Sequence, residues 1–414
     1  MHQHVIQSIE ARLEEAEARY VASNPESQRL HEQRKRFMPG GNTRTTIHVA
    51  PFPLTITHGE GARIVDADGH EYVDFLGEYT AGLYGHSHPV IVAAIRDALA
   101  DGILLGAPNR YEASLAETVC ARFPSIELVR FCNSGTEANL LALSLARAVT
   151  GRTGVLTFTG AYHGGIATPY EWTTATYNDP DDAVRKIGAR ADELAAVIVE
   201  PLQGAGGVIP GDAEFLLALR RATETAGVLL IFDEVMTSRL SLGGMQRILG
   251  ITPDLTTVAK YIGGGLAFGA LGGRAELMSR FDPARPDAIP HGGTFNNDVL
   301  TMAAGAAAAS VLTEHEIARL NGLGNRLRDR LNALDLEFRA TGYGSLVGLH
   351  FTRGPVRSAA DVPEARELRS LLHLHMLEHG FSYGRRGFIA LSLPLGEEEI
   401  DGFAGAVEQF LTSL

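Results

Sequence analysis

The stretch Val228–Gly265, VLLIFDEVMTSRLSLGGMQRILGITPDLTTVAKYIGGG, puts two charged residues where charge is expensive. Asp233 ends the apolar run Val-Leu-Leu-Ile-Phe, which reads as a strand of a parallel sheet covered on both faces. Lys260 follows a second β-prone run, Leu-Thr-Thr-Val-Ala, and comes just before three glycines. Carboxylates and ammonium groups are rarely buried unless they are paired or put to use. Open α/β sheets bind their ligands at the carboxyl ends of the strands, and both charges fall there. The plain alternatives are a helix cap for Asp233-Glu234 and a solvated loop lysine.

The surrounding chain supports the strand reading. From Pro89 onward, short apolar runs at 129–132, 154–158, 196–199, 256–259 and 270–273 alternate with helical patterns at 89–99, 111–123, 136–148 and 214–226. That rhythm predicts an α/β fold with a mostly parallel sheet between helical layers. The opening differs. An amphipathic helix over 3–21, with Ile6, Ile9, Leu13, Ala16 and Tyr20 on one stripe, stops at Ser23-Asn24-Pro25. A second helix runs from Glu26 toward Phe37, and strands follow at 52–57, 62–66 and 70–75, with Asp68-Gly69 as a hairpin signal. From Asp298 the chain turns helical, then α+β, with strands at 345–351 and 387–393. We expect a large domain over 75–297 and a smaller one built from 1–74 and 298–414.

With 414 residues, 36 Lys+Arg against 49 Asp+Glu and a net charge of −13, the chain is an unsuitable partner for nucleic acid or anionic membrane. Its two cysteines, Cys120 and Cys132, have no zinc spacing and are too few for a disulfide framework. No run reaches bilayer length, and no signal-peptide pattern opens the chain. These features predict a cytoplasmic protein without a metal site.

The chemistry-bearing residues sit after the strands. Asn133-Ser134-Gly135-Thr136-Glu137 opens a helix, where free backbone N–H groups and hydroxyls make a phosphate cup or, equally, a capping box. Tyr162, in Tyr162-His163-Gly164-Gly165, can stack on a flat ring or simply pack in its loop. Glu200-Pro201-Leu202-Gln203-Gly204 offers Gln203 to a ring hydroxyl, while Glu200 can equally serve as a structural brace. A phosphate cup, a stacking aromatic, a buried acid and a buried lysine together suggest pyridoxal 5'-phosphate. Lys260 would be its Schiff-base lysine and later a proton carrier, Asp233 the partner of its pyridine nitrogen, and Val235 a cover for one ring face.

Taken in order, these motifs, with Phe232-Asp233-Glu234-Val235-Met236-Thr237, Thr257-Val258-Ala259-Lys260 and Gly292-Gly293-Thr294-Phe295, resemble the class III, fold-type I aminotransferases over nearly the whole chain. The resemblance implies a seven-stranded, mostly parallel sheet and a homodimer with shared active sites. It assigns the phosphate cup to Ser134, Gly135 and Thr136, and places Tyr162, His163, Glu200, Gln203 and Val235 around the cofactor. It gives Thr294 to the phosphate of the neighbouring subunit.

Two branches compete within the class. Met38-Pro39-Gly40-Gly41 and Ile262-Gly263-Gly264-Gly265 resemble glutamate-1-semialdehyde aminomutases, but the Asn-Pro-Val-Arg type of start after Gly-Gly is absent. Gly41-Asn42-Thr43-Arg44, Glu78-Tyr79-Thr80-Ala81-Gly82, Met236-Thr237-Ser238-Arg239-Leu240, Thr294-Phe295-Asn296-Asn297 and the run Arg386–Leu395 resemble the β-amino acid (β-phenylalanine) aminotransferases more closely. That branch implies Arg44 and Arg386 as readers of substrate carboxylates, with Arg385 as an alternative to Arg386. The expected activity moves an amino group from a β-amino acid to a 2-oxo acid such as pyruvate or 2-oxoglutarate. The chain departs from the branch in a shortened loop over 166–176 and in Gly106-Ala107-Pro108-Asn109. A nucleotide-binding or non-catalytic α/β protein is the reading from another class.

Overall fold

A computed structural model describes residues 2–166 and 172–414. The helix His2–Ser23 is followed by Pro25–Lys35, which ends two residues before Phe37. Strands β1 (Ile56–Glu60), β2 (Arg63–Asp66) and β3 (Glu71–Asp74) form an antiparallel meander, with the expected Asp68-Gly69 turn between β2 and β3. The first begins four residues later than its sequence pattern suggests, beyond Phe52-Pro53.

The strands β4 (Leu128–Cys132), β5 (Gly154–Phe158), β6 (Trp172–Ala175), β7 (Leu194–Val199), β10 (Leu229–Asp233), β11 (Leu255–Ala259) and β12 (Gly269–Gly273) make one seven-stranded sheet; a two-residue ribbon, β8 (Leu202–Gln203) with β9 (Ile209–Pro210), lies outside it. The order is β4-β12-β11-β10-β7-β5-β6, and only β12 runs against the others. β7 and β11 are buried at every position, as strands covered on both faces must be. The seventh strand, β6, was not among the predicted ones: Trp172-Thr-Thr-Ala175 forms the sheet edge inside the stretch taken as a shortened loop. Residues 167–171 of that loop lie outside the described residues. The reason for the glycine-rich β12 is contact. A Cβ on Gly269 would sit 2.2 Å from the Ser134 carbonyl oxygen, so the strand brings the turn before the helix Gly135–Thr150 against the sheet.

Later strands β13 (Arg339–Tyr343), β14 (Leu346–His350) and β16 (Phe388–Ala390) form a three-stranded sheet, and β15 (Phe381–Ser382) pairs parallel with β3. That last pairing joins the two ends of the chain. No described helix is long and apolar enough to cross a membrane.

Candidate active site

Five strand ends converge on the carboxyl edge of the large sheet. β4 leads into Ser134, β5 into His163, β7 into Glu200 and Gln203, β10 ends on Asp233, and β11 ends just before Lys260. Asp233 lies opposite Thr257 in the ladder, three residues before the lysine.

Asp233 is 4% exposed. Its Oδ2 accepts from Asn139 Nδ2 at 2.8 Å and lies 2.9 Å from His163 Nδ1, and its Oδ1 accepts the Val235 N–H at 3.1 Å. Burial alone would lower the His163 pKa, but the hydrogen bond and charge of Asp233 outweigh it and raise it. Asn139 Oδ1 in turn accepts from Thr257 Oγ1 at 2.7 Å. The carboxylate is thus held from three sides, and Oδ1 keeps room for another donor. The capping task belongs to its neighbour. Glu234, fully buried, accepts the N–H groups of Met245 and Gln246 at 2.8 and 2.9 Å at the start of the helix Gly244–Leu249.

Asn139 was missed from the sequence. It sits with Ala138, Ala142 and Leu143 on the buried face of its helix, and a polar residue on an apolar face was the available signal. Asn139→Ala should leave Asp233 and Thr257 without a partner and lower stability by about 1–3 kcal/mol. A urea melt checks this, and an unchanged midpoint would show that the network is dispensable.

Lys260 has a left-handed backbone, φ 60°, a strained conformation for a residue with a side chain. Its Nζ donates to the carbonyl of Tyr79. Burial lowers its pKa to about 8, against the opposing pull of Asp233, Glu200 and Glu78. Tyr79 belongs to a turn in which Gly77, Glu78, Tyr79 and Thr80 all have positive φ.

Ser134 caps its helix, Oγ accepting the Glu137 N–H at 3.2 Å, and Thr136 Oγ1 accepts the Gly165 N–H at 3.2 Å. Both hydroxyls act as acceptors here, so each retains its proton for an anion, and the capping role leaves them free to donate to a phosphate. Gly135 packs against Val235, whose methyls lie 3.0 and 3.2 Å from where a Cβ would stand. Gln203 is buried, donates to the Thr159 carbonyl at 3.0 Å, and has an Oε1 with no partner among the described residues. That orphaned acceptor fits the hydroxyl of a pyridoxal ring. Glu200 takes the bracing role: its oxygens accept the N–H groups of Tyr162 and Gly204 at 2.9 and 3.1 Å. Burial pushes its pKa up to about 7. The Tyr162 ring is 59% exposed.

Two of the three arginines, Arg44 and Arg385, line one cavity. Arg44 pairs with Glu78, both about half exposed. Arg385 lines a cavity of about 500 Å3 together with Arg44, Glu78, Tyr79, Ile47 and Leu54, whereas Arg386, the next residue of the same turn, is exposed. Thr294 is exposed and apart from these residues, although Asn296, two positions on, accepts from Asn133 Nδ2 at 2.9 Å.

The pattern of the aminotransferase class-III family matches residues 46–178 and 168–367. The chain is 48% identical over 420 residues to the beta-phenylalanine transaminase of Variovorax paradoxus, covering 98% of this chain and 96% of that protein. The crystal structure of a beta-phenylalanine aminotransferase from the same organism superposes with a TM-score of 0.96 at 47% identity, over 98% of both chains. A glutamate-1-semialdehyde 2,1-aminomutase of Brevibacillus brevis is 40% identical over 363 residues, 80% of this chain and 84% of that protein. A buried acid and a half-buried lysine at adjacent strand ends agree with the family match: this chain belongs to the class-III aminotransferases.

Proposed function

We propose that the enzyme transfers the amino group of a β-amino acid with an aromatic or bulky substituent to a 2-oxo acid, in two half-reactions, with pyridoxal 5'-phosphate as cofactor. The observation that carries this reading is the buried Asp233 beside Lys260, with the Ser134–Thr136 turn at the same sheet edge. When bound, the cofactor supplies the electron sink for a carbanion at the substrate carbon. Asp233 keeps a proton on the pyridine nitrogen, and His163 and Asn139 orient Asp233. Ser134, Gly135 and Thr136 bind the phosphate, Gln203 accepts from the ring hydroxyl, and Tyr162 and Val235 cover the ring faces. Lys260, whose lowered pKa leaves part of it uncharged near pH 8, takes the proton from the substrate carbon and returns it.

Arg44 binds the carboxylate of the donor, one carbon further from the amine than in an α-amino acid. Arg386, or Arg385 beside it in the cavity, binds the second acid. Two readers for two acids favour transamination over the aminomutase reading, in which one molecule keeps its nitrogen. The cavity reaches Tyr79, whose carbonyl accepts from Lys260, and its lining includes Ile47 and Leu54, which supports a bulky substituent. We read the active protein as a cytoplasmic homodimer in which Thr294 reaches the neighbouring subunit's phosphate. The division into 75–297 and a smaller domain from both ends is supported by the β3–β15 pairing.

A panel of α-, β- and ω-amino donors with pyruvate and 2-oxoglutarate tests the substrate class. β-Amino acids should be turned over fastest, and a preference for α- or ω-donors would overturn it. Arg44→Ala should raise KM for the β-amino donor about 10- to 100-fold with kcat little changed, since a charge-assisted contact to the bound substrate is lost. An unchanged KM would move the reader elsewhere.

A further inference from the structure

Arg239 is a charged residue that the catalytic reading leaves without a task. It is 1% exposed and among the largest fully buried side chains. Buried charges are ordinarily paired, because an uncompensated one is costly. The partners of Arg239 are neutral: Nε donates to Ser345 Oγ at 3.2 Å and Nη2 to the Leu391 carbonyl, while Nη1 has no partner among the described residues.

Leu391 N donates to the Ser345 carbonyl at 3.0 Å, so the guanidinium seals the end of the β14–β16 ladder. β16 carries the turn that receives the lysine. The Ala390 N–H donates to the Phe75 carbonyl at 2.9 Å, and a Cβ on Gly77 would stand 2.5 Å from the Ala390 carbonyl oxygen. The Tyr79 ring packs 5.3 Å from that of Phe388, and the Tyr79 carbonyl accepts from Lys260 Nζ. A continuous path of contacts runs from Arg239 through β16 to Lys260. Charge follows the same route. Of the groups acting on the lysine amine, Asp233 and Glu200 at strand ends and Glu78 on the turn favour the ammonium form, and Arg239 opposes them.

We propose that Arg239 is a positioning residue for Lys260: its hydrogen bonds fix the turn that receives the amine, and its guanidinium has no counter-ion among the described residues. The proposal rests on the reading of Lys260 as the reactive amine, but not on the identity of the substrate.

The test is acetylation of Lys260 by acetic anhydride in the full-length, cofactor-free chain, followed by mass spectrometry as pH is raised. The wild-type midpoint should lie near pH 8. Arg239→Met keeps the volume without the charge, and Arg239→Gln keeps a donor for Leu391. Loss of the cation should move the midpoint to higher pH, so both variants should label more slowly than wild type at pH 8. Arg239→Lys should restore the wild-type midpoint. Either neutral variant decides the matter if the other fails to fold. A midpoint that stays in place in a folded neutral variant, whatever its melting temperature, would overturn the proposal. Failure of β-amino acids as donors would contradict the substrate reading and leave this result standing.

Discussion

Lys260→Ala is expected to lower kcat by at least about 10⁴-fold while the chain remains folded, because the side chain proposed to take and return the substrate proton is gone. The survival of the fold has a physical basis. Burial holds the Lys260 pKa at about 8, below its ordinary value of 10.5. Below about pH 8 the lysine is charged in both states, and the full cost of burying that charge opposes folding. Between about 8 and 10.5 the unfolded chain binds a proton that the folded chain has released, so this contribution becomes less unfavourable as pH rises. Removing the amine at neutral pH therefore removes a penalty. Thermal melting should show Lys260→Ala no less stable than the parent near pH 7, with the difference shrinking above about pH 8. Residual turnover within tenfold of wild type would refute the assignment.

Asp233→Asn should be the next most damaging change. The substitution preserves shape but removes the charge proposed to face the cofactor's pyridine nitrogen, at an expected loss of about 10²- to 10³-fold in kcat. It also turns an amide toward donors. Asn139 Nδ2 and the Val235 N–H now point at the Asp233 carboxylate, and only one oxygen would remain to accept. We expect about 1–3 kcal/mol of lost stability as well, read from denaturant midpoints. His163 should then titrate at lower pH, since the Asp233 hydrogen bond that supports its charged form is lost. A kcat within about threefold of wild type would show that Asp233 does not serve the ring nitrogen.

Much of this site was legible because it is written in strand ends. The apolar runs before Asp233 and Lys260 were enough to place both at one sheet edge, as the β10–β11 register does. What stayed hidden has physical reasons. Successive residues at a strand end point in opposite directions, so Asp233 and Glu234 look interchangeable in sequence although one faces the site network and the other caps a helix. β6 is an edge strand with a mixed burial pattern, and Trp-Thr-Thr-Ala carries no apolar run to mark it. The turn Gly77–Thr80 adopts left-handed backbone at Glu78, Tyr79 and Thr80, against their local preference; only tertiary contact with β16 explains it. Arg239 lies in the run Met236–Leu240 that resembles the β-amino acid branch, but nothing in its sequence neighbourhood distinguishes a buried unpaired cation from a surface one.

The proposed reaction is transfer of an amino group between two molecules. The direct measurement mixes the wild-type enzyme, loaded with pyridoxal phosphate, with a ¹⁵N-labelled aromatic β-amino acid and unlabelled 2-oxoglutarate, and follows the nitrogen by mass spectrometry. The label should appear in newly formed glutamate, the donor should become its 3-oxo acid, and turnover should stop when the 2-oxo acid is omitted. Label retained on the donor's own carbon skeleton, with turnover continuing without an acceptor, would contradict it.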